Sequence, residues 1–560
     1  MKFAEIQKKT SDLYQDPKAS VAEYLSIARA LGDVQASDIP PYVRSLKAAF
    51  LASYTIQGLP EICIGRGVFH NVRVETYLAP YNQFTQEAIN AKSGLALFDP
   101  QIIYVAVDVP DVMDTNHLNT VARGLLEHTR AKIIFFNFVS SSSISGERIE
   151  MLNTMLADLE KKEDRILIFD FAKFVDRIGA SDHWYTKYKD LGDLRLAPHA
   201  FVPLSEELMK YAVARAGNTK KCLVLDLDNT LWKGIIGEDG MTGIVPDHTI
   251  QEHIFALYEK GVILVVNSKN NDADAREVFE HHPDMILKEH HIAAWRANWQ
   301  EKERNIVEIA KELDLGTDSF VFIDDSGFEQ ERVKTTFPEI AVLSPELLTD
   351  FSGFYSFKVT QEDMRRGAMY VEERKRKELQ VSLPTEDEFL ATLGLSLIIR
   401  KALESDIARA SQLTQKTNQF NVATRRYTED EIRSRAQAEN WSIWLAEAKD
   451  RFGDYGIIGI AMVEYADNTT RIDNFLLSCR ILGRKVEEVF LHVVLDEALK
   501  NGASRVMGEF IPTAKNKLCE SFFADNTFVL ASSGEKQFIY HWTAEGKSYT
   551  YPPFIQLTLV

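Results

Sequence analysis

Residues 222–231 read Cys222-Leu-Val-Leu-Asp-Leu-Asp-Asn-Thr-Leu231. Leu223, Val224, Leu225 and Leu227 make a short apolar run, the pattern of a strand buried on both faces. Asp226 and Asp228 stand at its end, followed by Asn229 and Thr230. Carboxylates there are costly unless a cation or hydrogen bonds compensate them. In an open parallel sheet the carboxyl ends of the strands are where ligands bind. Two acids spaced i, i+2 can meet one divalent metal while doing separate work, Asp226 as a nucleophile and Asp228 as a proton shuttle. The competing reading is a plain turn, since Asp, Asn and Thr favour strand exits and helix caps.

Segments further along tell against the turn alone. Val262 to Val266 is a second buried-strand pattern and ends in Asn267-Ser268-Lys269-Asn270. Lys302 opens a segment of helical pattern, and a third apolar run, Ser319 to Ile323, ends in Asp324-Asp325. Three strands finishing in polar residues, separated by helix-like segments, predict a doubly wound parallel sheet with one site along its edge.

These residues resemble the haloacid-dehalogenase (HAD) phosphotransferase superfamily, and LVLDLDNTLWKGIIGEDG resembles its FkbH-like branch. The resemblance implies that Asp226 forms an aspartyl-phosphate and that Asp228 is the general acid and base. It implies that Ser268 and Lys302 hold the transferring phosphoryl group, with Thr230 and Asn270 toward the substrate. Mg²⁺ would sit on the Asp226 carboxylate, the Asp228 backbone carbonyl and an acid of the Asp324-Asp325 pair, Asp325 being preferred. The physics agrees, because phosphoryl transfer mostly needs positioning and charge neutralisation and oxygen-only ligands suit Mg²⁺. About forty residues between the nucleophile strand and Ser268 leave room for a flap, Trp232 to Gly240, but not for a folded cap. An uncapped site admits a bulky substrate or relies on another domain or protein to exclude water. The family's flap usually reads Trp-Gly-Gly; Lys233 stands at its second place here, where it bears on substrate choice.

The chain has 560 residues, enough for several domains, and 45% hydrophobic with 26% charged residues is an ordinary globular composition. A net charge of −18 argues against general nucleic-acid binding, which leans on basic residues. Cys63, Cys222, Cys479 and Cys519 are widely spaced without a CxxC, so neither a disulfide framework nor a zinc site is expected. The first residues lack the apolar core of a signal peptide, and no stretch approaches the roughly 20 apolar residues of a membrane span. The expected location is cytoplasmic, with no membrane partner.

Residues 1–216 form the first expected domain. Residues 1–50 read as helical, followed by strands at Ala52 to Ile56, Val72 to Tyr77, Ile102 to Val107, Ile133 to Phe138 and Ile166 to Phe169. The segment resembles the degenerate SGNH-hydrolase-like, flavodoxin-type domain at the front of FkbH-like proteins. Ser53 matches the nucleophile by position only, and the adjacent Asp182-His183 lack the spacing of the family's dyad, so a docking or structural role is expected. Asn137 and the serine-rich loop 139–146 are candidates to line a groove.

The HAD-like, capless domain is expected over 217–360, then a charged helical connector over 361–381. The connector reads as a solvated helix whose basic cluster, Arg374 to Lys377, is also a landing place for an acidic partner. Residues 382–560 carry strands at Leu395 to Arg400, Trp441 to Ala448, Tyr455 to Glu464, Ile472 to Ser478 and Ser504 to Phe510. The run Cys479-Arg480-Ile-Leu-Gly483-Arg484-Lys485 precedes a helix over Val486 to Lys500, and backbone N–H groups at a helix start form an anion cradle. The competing reading is simple helix capping. The pattern resembles the GNAT acyltransferase fold, a mixed α+β domain, whose pyrophosphate signature implies CoA contacts from Arg480, Gly483 and Arg484. Lys485 departs from that signature.

Cys479, beside Arg480 and near the helix start, is the preferred acyl-carrying thiol; Cys222 is the rival but precedes a buried strand. The α/β multidomain chain is therefore expected to be a Mg²⁺-dependent phosphatase or phosphotransferase acting on a small phosphorylated acid or sugar. It would be coupled to transfer of a glyceryl-type acyl group to the thiol of an acyl carrier protein. The alternatives are a sugar phosphatase fused to an acyltransferase that uses acetyl-CoA or another acyl-CoA, and a scaffold with a spent site.

Overall fold

The computed structural model describes residues 2–16, 18–139, 145–179, 184, 189–359, 361–513, 515–534, 537–544 and 549–560. The chain divides into two compact units, Met1–Val371 and Glu372–Val560. Among the described residues the first unit holds two five-stranded sheets, parallel throughout.

The first sheet runs in the order β2 (Val72–Leu78), β1 (Arg44–Ala52), β3 (Ile102–Ala106), β4 (Lys132–Phe136), β5 (Ile166–Phe169), the flavodoxin-like order. Two helices, Phe3–Gln15 and Val21–Gly32, precede it as expected. The expectation of helix up to residue 50 is corrected, because Arg44–Ala52 is the second strand of this order rather than a helix. Its Leu46, Ala48, Phe50 and Ala52 pack into one apolar cluster while Ala49 and Leu51 pack into another. Burial on both faces overrides the helical propensity of an Ala- and Leu-rich run. Ser140 to Ile144 of the serine-rich loop, and Asp182-His183, lie outside the described residues.

The second sheet runs β10 (Ile292–Ala297), β9 (Ile263–Ser268), β6 (Cys222–Leu225), β11 (Phe320–Ile323), β12 (Ala341–Leu343). In chain order this is 3-2-1-4-5, and the direction of winding reverses between β6 and β11. Three of its strands follow the predicted pattern; β10 and β12 were not anticipated. Register is tight at the site: Ile323 pairs with Leu225, and Leu225 with Val266. Asp324, Asp226 and Asn267 therefore leave three neighbouring strands at one level. A two-stranded flap, β7 (Trp232–Lys233) and β8 (Val245–Pro246), stands over that edge.

The helix Gln361–Ser382 spans the boundary between the units. It is not the wholly solvated connector expected: Arg376 is 2% exposed and holds Asp450 by two bonds of 2.7 and 2.9 Å within the second unit. That guanidinium is unavailable to an acidic partner.

The second unit is one mixed sheet of β13 (Leu395–Lys401), β14 (Phe420–Asn421), β15 (Trp441–Lys449), β16 (Asp454–Ala466), β17 (Thr469–Leu477), β18 (Arg505–Phe510), β19 (Val529–Ser533), β20 (Phe538–Trp542) and β21 (Ile555–Leu559). Parallel pairing of β17 with β18 stops at Ile472 and Gly508. Beyond that point β14 takes over the pairing with β17, and Arg425 bridges Asp473 on β17 to Glu509 on β18.

Candidate active site

The centre of the site is one lysine between two carboxylates. Lys302 Nζ donates to Asp226 Oδ1 at 2.7 Å and to Asp324 Oδ2 at 2.5 Å, and all three side chains are buried. Lys302 is the first residue of the helix Lys302–Leu313, a position where the helix dipole disfavours a cation, so the two acids are what hold it there. The start of this helix is fixed by buried amides: Asn267 Nδ2 donates to the Lys302 carbonyl at 3.0 Å, and Asn305 Nδ2 to Asn267 Oδ1 at 2.9 Å and Asn298 Oδ1 at 3.1 Å.

Carboxylate oxygens of Asp226, Asp324 and Asp325 lie within 4.8 Å of one another. Burial, followed by the charge of Asp226, pushes the Asp324 and Asp325 carboxyls above their usual range, and Lys302 draws them partly back. An oxygen-only set of this kind, short of positive charge, fits a hard divalent cation. Asp324 is the fully buried member and the one bonded to Lys302, whereas Asp325 is exposed.

Asp228 is held apart from this trio. Its Oδ1 accepts from Trp232 Nε1 at 2.9 Å and from the Ile236 N–H at 3.1 Å, and its Oδ2 accepts from Asn270 Nδ2 at 2.9 Å. The same Asn270 amide donates to Ser268 Oγ at 3.2 Å, which ties the tip of β9 to the proton-shuttle candidate. Thr230 is buried, and its hydroxyl has no hydrogen-bond partner among the described residues. The chain turns into the flap through Asn229 at φ 54°, whose side chain accepts the Gly234 N–H at 3.0 Å. Gly234 itself has φ +98°, and a Cβ there would lie 2.8 Å from Asp239 Oδ2, so the flap requires glycine at that place. Lys233 is exposed on β7.

Sequence reasoning missed the Asn267–Asn298–Asn305 set and the ion network at the rim. Lys269 pairs with Glu329 at 2.8 Å, and Arg332 with Glu303 at 2.7 Å and with Glu301. The polar run after β9 was the only local signal for either.

At the matching edge of the first sheet, Ser53 is fully buried and its Oγ accepts the Asp108 N–H at 3.0 Å. Arg195 closes the edge: it donates to Asp108 Oδ2 at 3.0 Å, Asp111 Oδ2 at 2.6 Å and both oxygens of Asp193 at 2.9 and 3.1 Å. Asn137 bonds Asp170 and the Ala172 N–H, fastening β4 to the element after β5. Among the described residues, nothing in this arrangement exposes a nucleophile.

In the second unit, Cys479 is exposed and begins a short 3-10 turn, Cys479–Ile481, rather than the helix Val486–Lys500. Gly483 has φ +75°, with open space where a Cβ would be, and Lys485 takes a left-handed conformation at φ 64°. Arg480 Nε donates to Ser478 Oγ at 3.1 Å. Arg484 is buried, bonded to the Arg480 carbonyl and 3.3 Å from Glu373, so its charge is not presented at the turn. The Glu487 carboxyl in the first turn of that helix is pushed up by burial, and backbone N–H groups nearby draw it partly back. Cys222 is fully buried and burial pushes its thiol up, as suits a core residue.

No family model and no curated protein matches the chain. Among solved structures, the N-terminal part of the protein BF1531 from Bacteroides fragilis, which contains a phosphatase domain and is complexed with Mg, is similar. It shows 26% identity over 64% of this chain and 100% of its own, with a TM-score of 0.50. The ribosomal-protein-S18-alanine N-acetyltransferase from Escherichia coli aligns with 27% of this chain and 99% of its own at 14% identity and a TM-score of 0.21. The paia N-acetyltransferase from Thermoplasma acidophilum, in complex with coenzyme A, aligns with 26% and 98% at 17% identity and a TM-score of 0.21.

Proposed function

We propose that the first unit is a Mg²⁺-dependent phosphatase or phosphotransferase of HAD type, acting through an aspartyl-phosphate on a small phosphorylated acid or sugar. The observation that carries this reading is Lys302 bonded to Asp226 and Asp324 where three strand tips meet, with Asp325 within reach. The likeness to a phosphatase domain complexed with Mg supports it.

Asp226, Asp324 and Asp325 would hold the metal, with the Asp228 backbone carbonyl completing the set. Bound there, Mg²⁺ supplies charge neutralisation for the transferring phosphoryl group. An Asp226 carboxylate oxygen attacks phosphorus while the bond to the substrate oxygen breaks, and Asp228 delivers a proton to that leaving oxygen. Asp228 then takes a proton from water as the water oxygen attacks the aspartyl-phosphate, releasing phosphate and restoring Asp226. Lys302 and the Ser268 hydroxyl hold the phosphoryl oxygens, and the Asn270 amide keeps Asp228 aimed. Thr230, whose buried hydroxyl is unpartnered among the described residues, would face the substrate.

The second unit, in this proposal, takes its acyl group from a donor that is an acyl phosphate: the Cys479 thiolate attacks the acyl carbon as phosphate leaves, and a carrier-protein thiolate then attacks the resulting thioester, taking the acyl group and restoring the Cys479 thiolate. The exposure of that thiol favours it over Cys222. The second reading, an acyl-CoA-dependent transferase, is favoured by the open turn at Gly483. Phosphate release across a panel of phosphorylated acids and sugars, with and without Mg²⁺, tests the first unit; no release from any of them would sink the reading. Intact-mass measurement with the productive donor tests the second, where an acyl adduct is expected that disappears in Cys479→Ala. An adduct that survives the substitution would remove Cys479 from the route.

A further inference from the structure

The first unit contains a cavity of about 520 Å³ at the opposite end of the second sheet from the catalytic edge. Thr219, Lys220 and Lys221, just before β6, and Gly261 and Val262, just before β9, line it. The four residues of β6 separate it from Asp226 by about 13 Å of strand. Its depth depends on a close approach: Gly261 has φ +90°, and a Cβ there would lie 1.7 Å from the Asp363 carbonyl oxygen.

The lining is cationic in a chain whose net charge is −18. Among the described residues it carries seven Lys or Arg side chains against four Asp or Glu. The arginines are committed, Arg177 to Glu207 at 2.7 Å and Arg366 to Asp363. Glu206 is turned to Tyr14, His70 and Ser352. Of the lysines, Lys210 pairs with Glu207 at 3.1 Å and Lys358 with Asp164 at 3.6 Å, so the surplus comes chiefly from Lys220 and Lys260. Lys260 makes no ion pair among the described residues, and its charge acts on His253 instead. Lys220 is buried with its ammonium on the Asp318 and Glu339 backbone carbonyls at 2.5 and 3.1 Å, and burial pushes it down to about 8. Like charges gathered around one cavity repel one another unless an anion enters. Lysines act on phosphate as point charges, and the volume is that of a small-molecule site.

We propose that this cavity binds a small phosphate-bearing anion at a site separate from the catalytic centre. The surplus of positive charge calls for a di- or trianion rather than a single carboxylate. This site stands whether or not the first unit is a phosphatase.

The test is calorimetric titration of the full chain with inorganic pyrophosphate, and separately with orthophosphate, in metal-free buffer at physiological salt. Pyrophosphate is expected to bind once per chain and more tightly than orthophosphate. Its affinity should fall at least about tenfold in Lys221→Glu/Lys260→Glu and severalfold in Lys260→Glu alone, with both variants melting close to the unsubstituted chain. The single substitution, at an exposed residue, keeps the test decisive should the double variant fail to fold. Unchanged affinity in Lys260→Glu would place the anion elsewhere and overturn the proposal, as would an absence of binding by either probe at about 5 mM.

Discussion

The two parallel sheets of the first unit end in the same ingredients, aspartates gathered around one buried cation, yet only one of the two edges is built for chemistry. At the first sheet the cation is Arg195, whose planar guanidinium meets Asp108, Asp111 and Asp193 with four bonds. Ser53 beside it is occupied by the Asp108 N–H. At the second sheet the cation is Lys302, a point charge on a flexible stem, shared by Asp226 and Asp324, while Asp325 makes no ion pair among the described residues. A guanidinium fork saturates the carboxylates it meets; a lone ammonium leaves lone pairs over. The first edge is closed by its own chain. The second is left short of positive charge and carries an unpartnered Thr230 hydroxyl as well.

The largest effect that tests this contrast is catalytic. Asp226→Asn should lower phosphate release at least about a thousandfold, as removal of a nucleophile does. Ser53→Ala, at the corresponding point of the first sheet, should leave the same rate within about twofold. A large loss of hydrolysis in Ser53→Ala would mean that the first edge takes part after all, and the contrast would fail.

Next comes stability. Arg195→Met removes a cation that Asp108, Asp111 and Asp193 share, of which Asp108 is 4% exposed. Breaking a buried pair from one side costs on the order of 3 kcal/mol. A clear fall in melting temperature is expected, with phosphate release by the surviving folded protein unaltered. If Arg195→Met melts with the unsubstituted chain, the edge is not the closed structure described here.

The two edges were not equally legible. The second could be read because three apolar runs in one segment end in polar residues, two of them in acids, and a buried parallel strand admits few other readings. The amides that position Lys302 could not be read, since Asn267, Asn298 and Asn305 are ordinary polar residues until the fold brings them together. β1 reads as helix because Val43, Leu46 and Phe50 fall at near-helical spacing, and only burial on both faces decides against it. Arg376 looked solvated because its partner, Asp450, lies 74 residues on.

The smallest expected effect asks whether the two sheets stand or fall together. Glu206, on the helix Phe201–Ala216, is 7% exposed and joins them: it accepts from Tyr14 Oη at 2.9 Å, from His70 Nε2 at 3.1 Å, and from the Ser352 hydroxyl at 2.6 Å and N–H at 3.1 Å. Ser352 lies beyond the last strand of the second sheet; the other two donors belong to the helices around the first. Burial pushes this carboxyl up, but His70, Arg66 and Ser352 outweigh it and hold it at about 2, against an ordinary 4.5. A carboxyl depressed on folding contributes stability that is complete above about 4.5 and is lost as pH falls toward about 2. The melting temperature should therefore decline through that window. Glu206→Gln, which keeps the shape and removes the charge, should cost about 2 kcal/mol at neutral pH and flatten the acid limb. If the sheets form one cooperative unit, both should be lost in a single transition that moves with pH. Two separated transitions within the first unit, with only one of them shifted by Glu206→Gln, would show that the closed edge and the open one are independently stable.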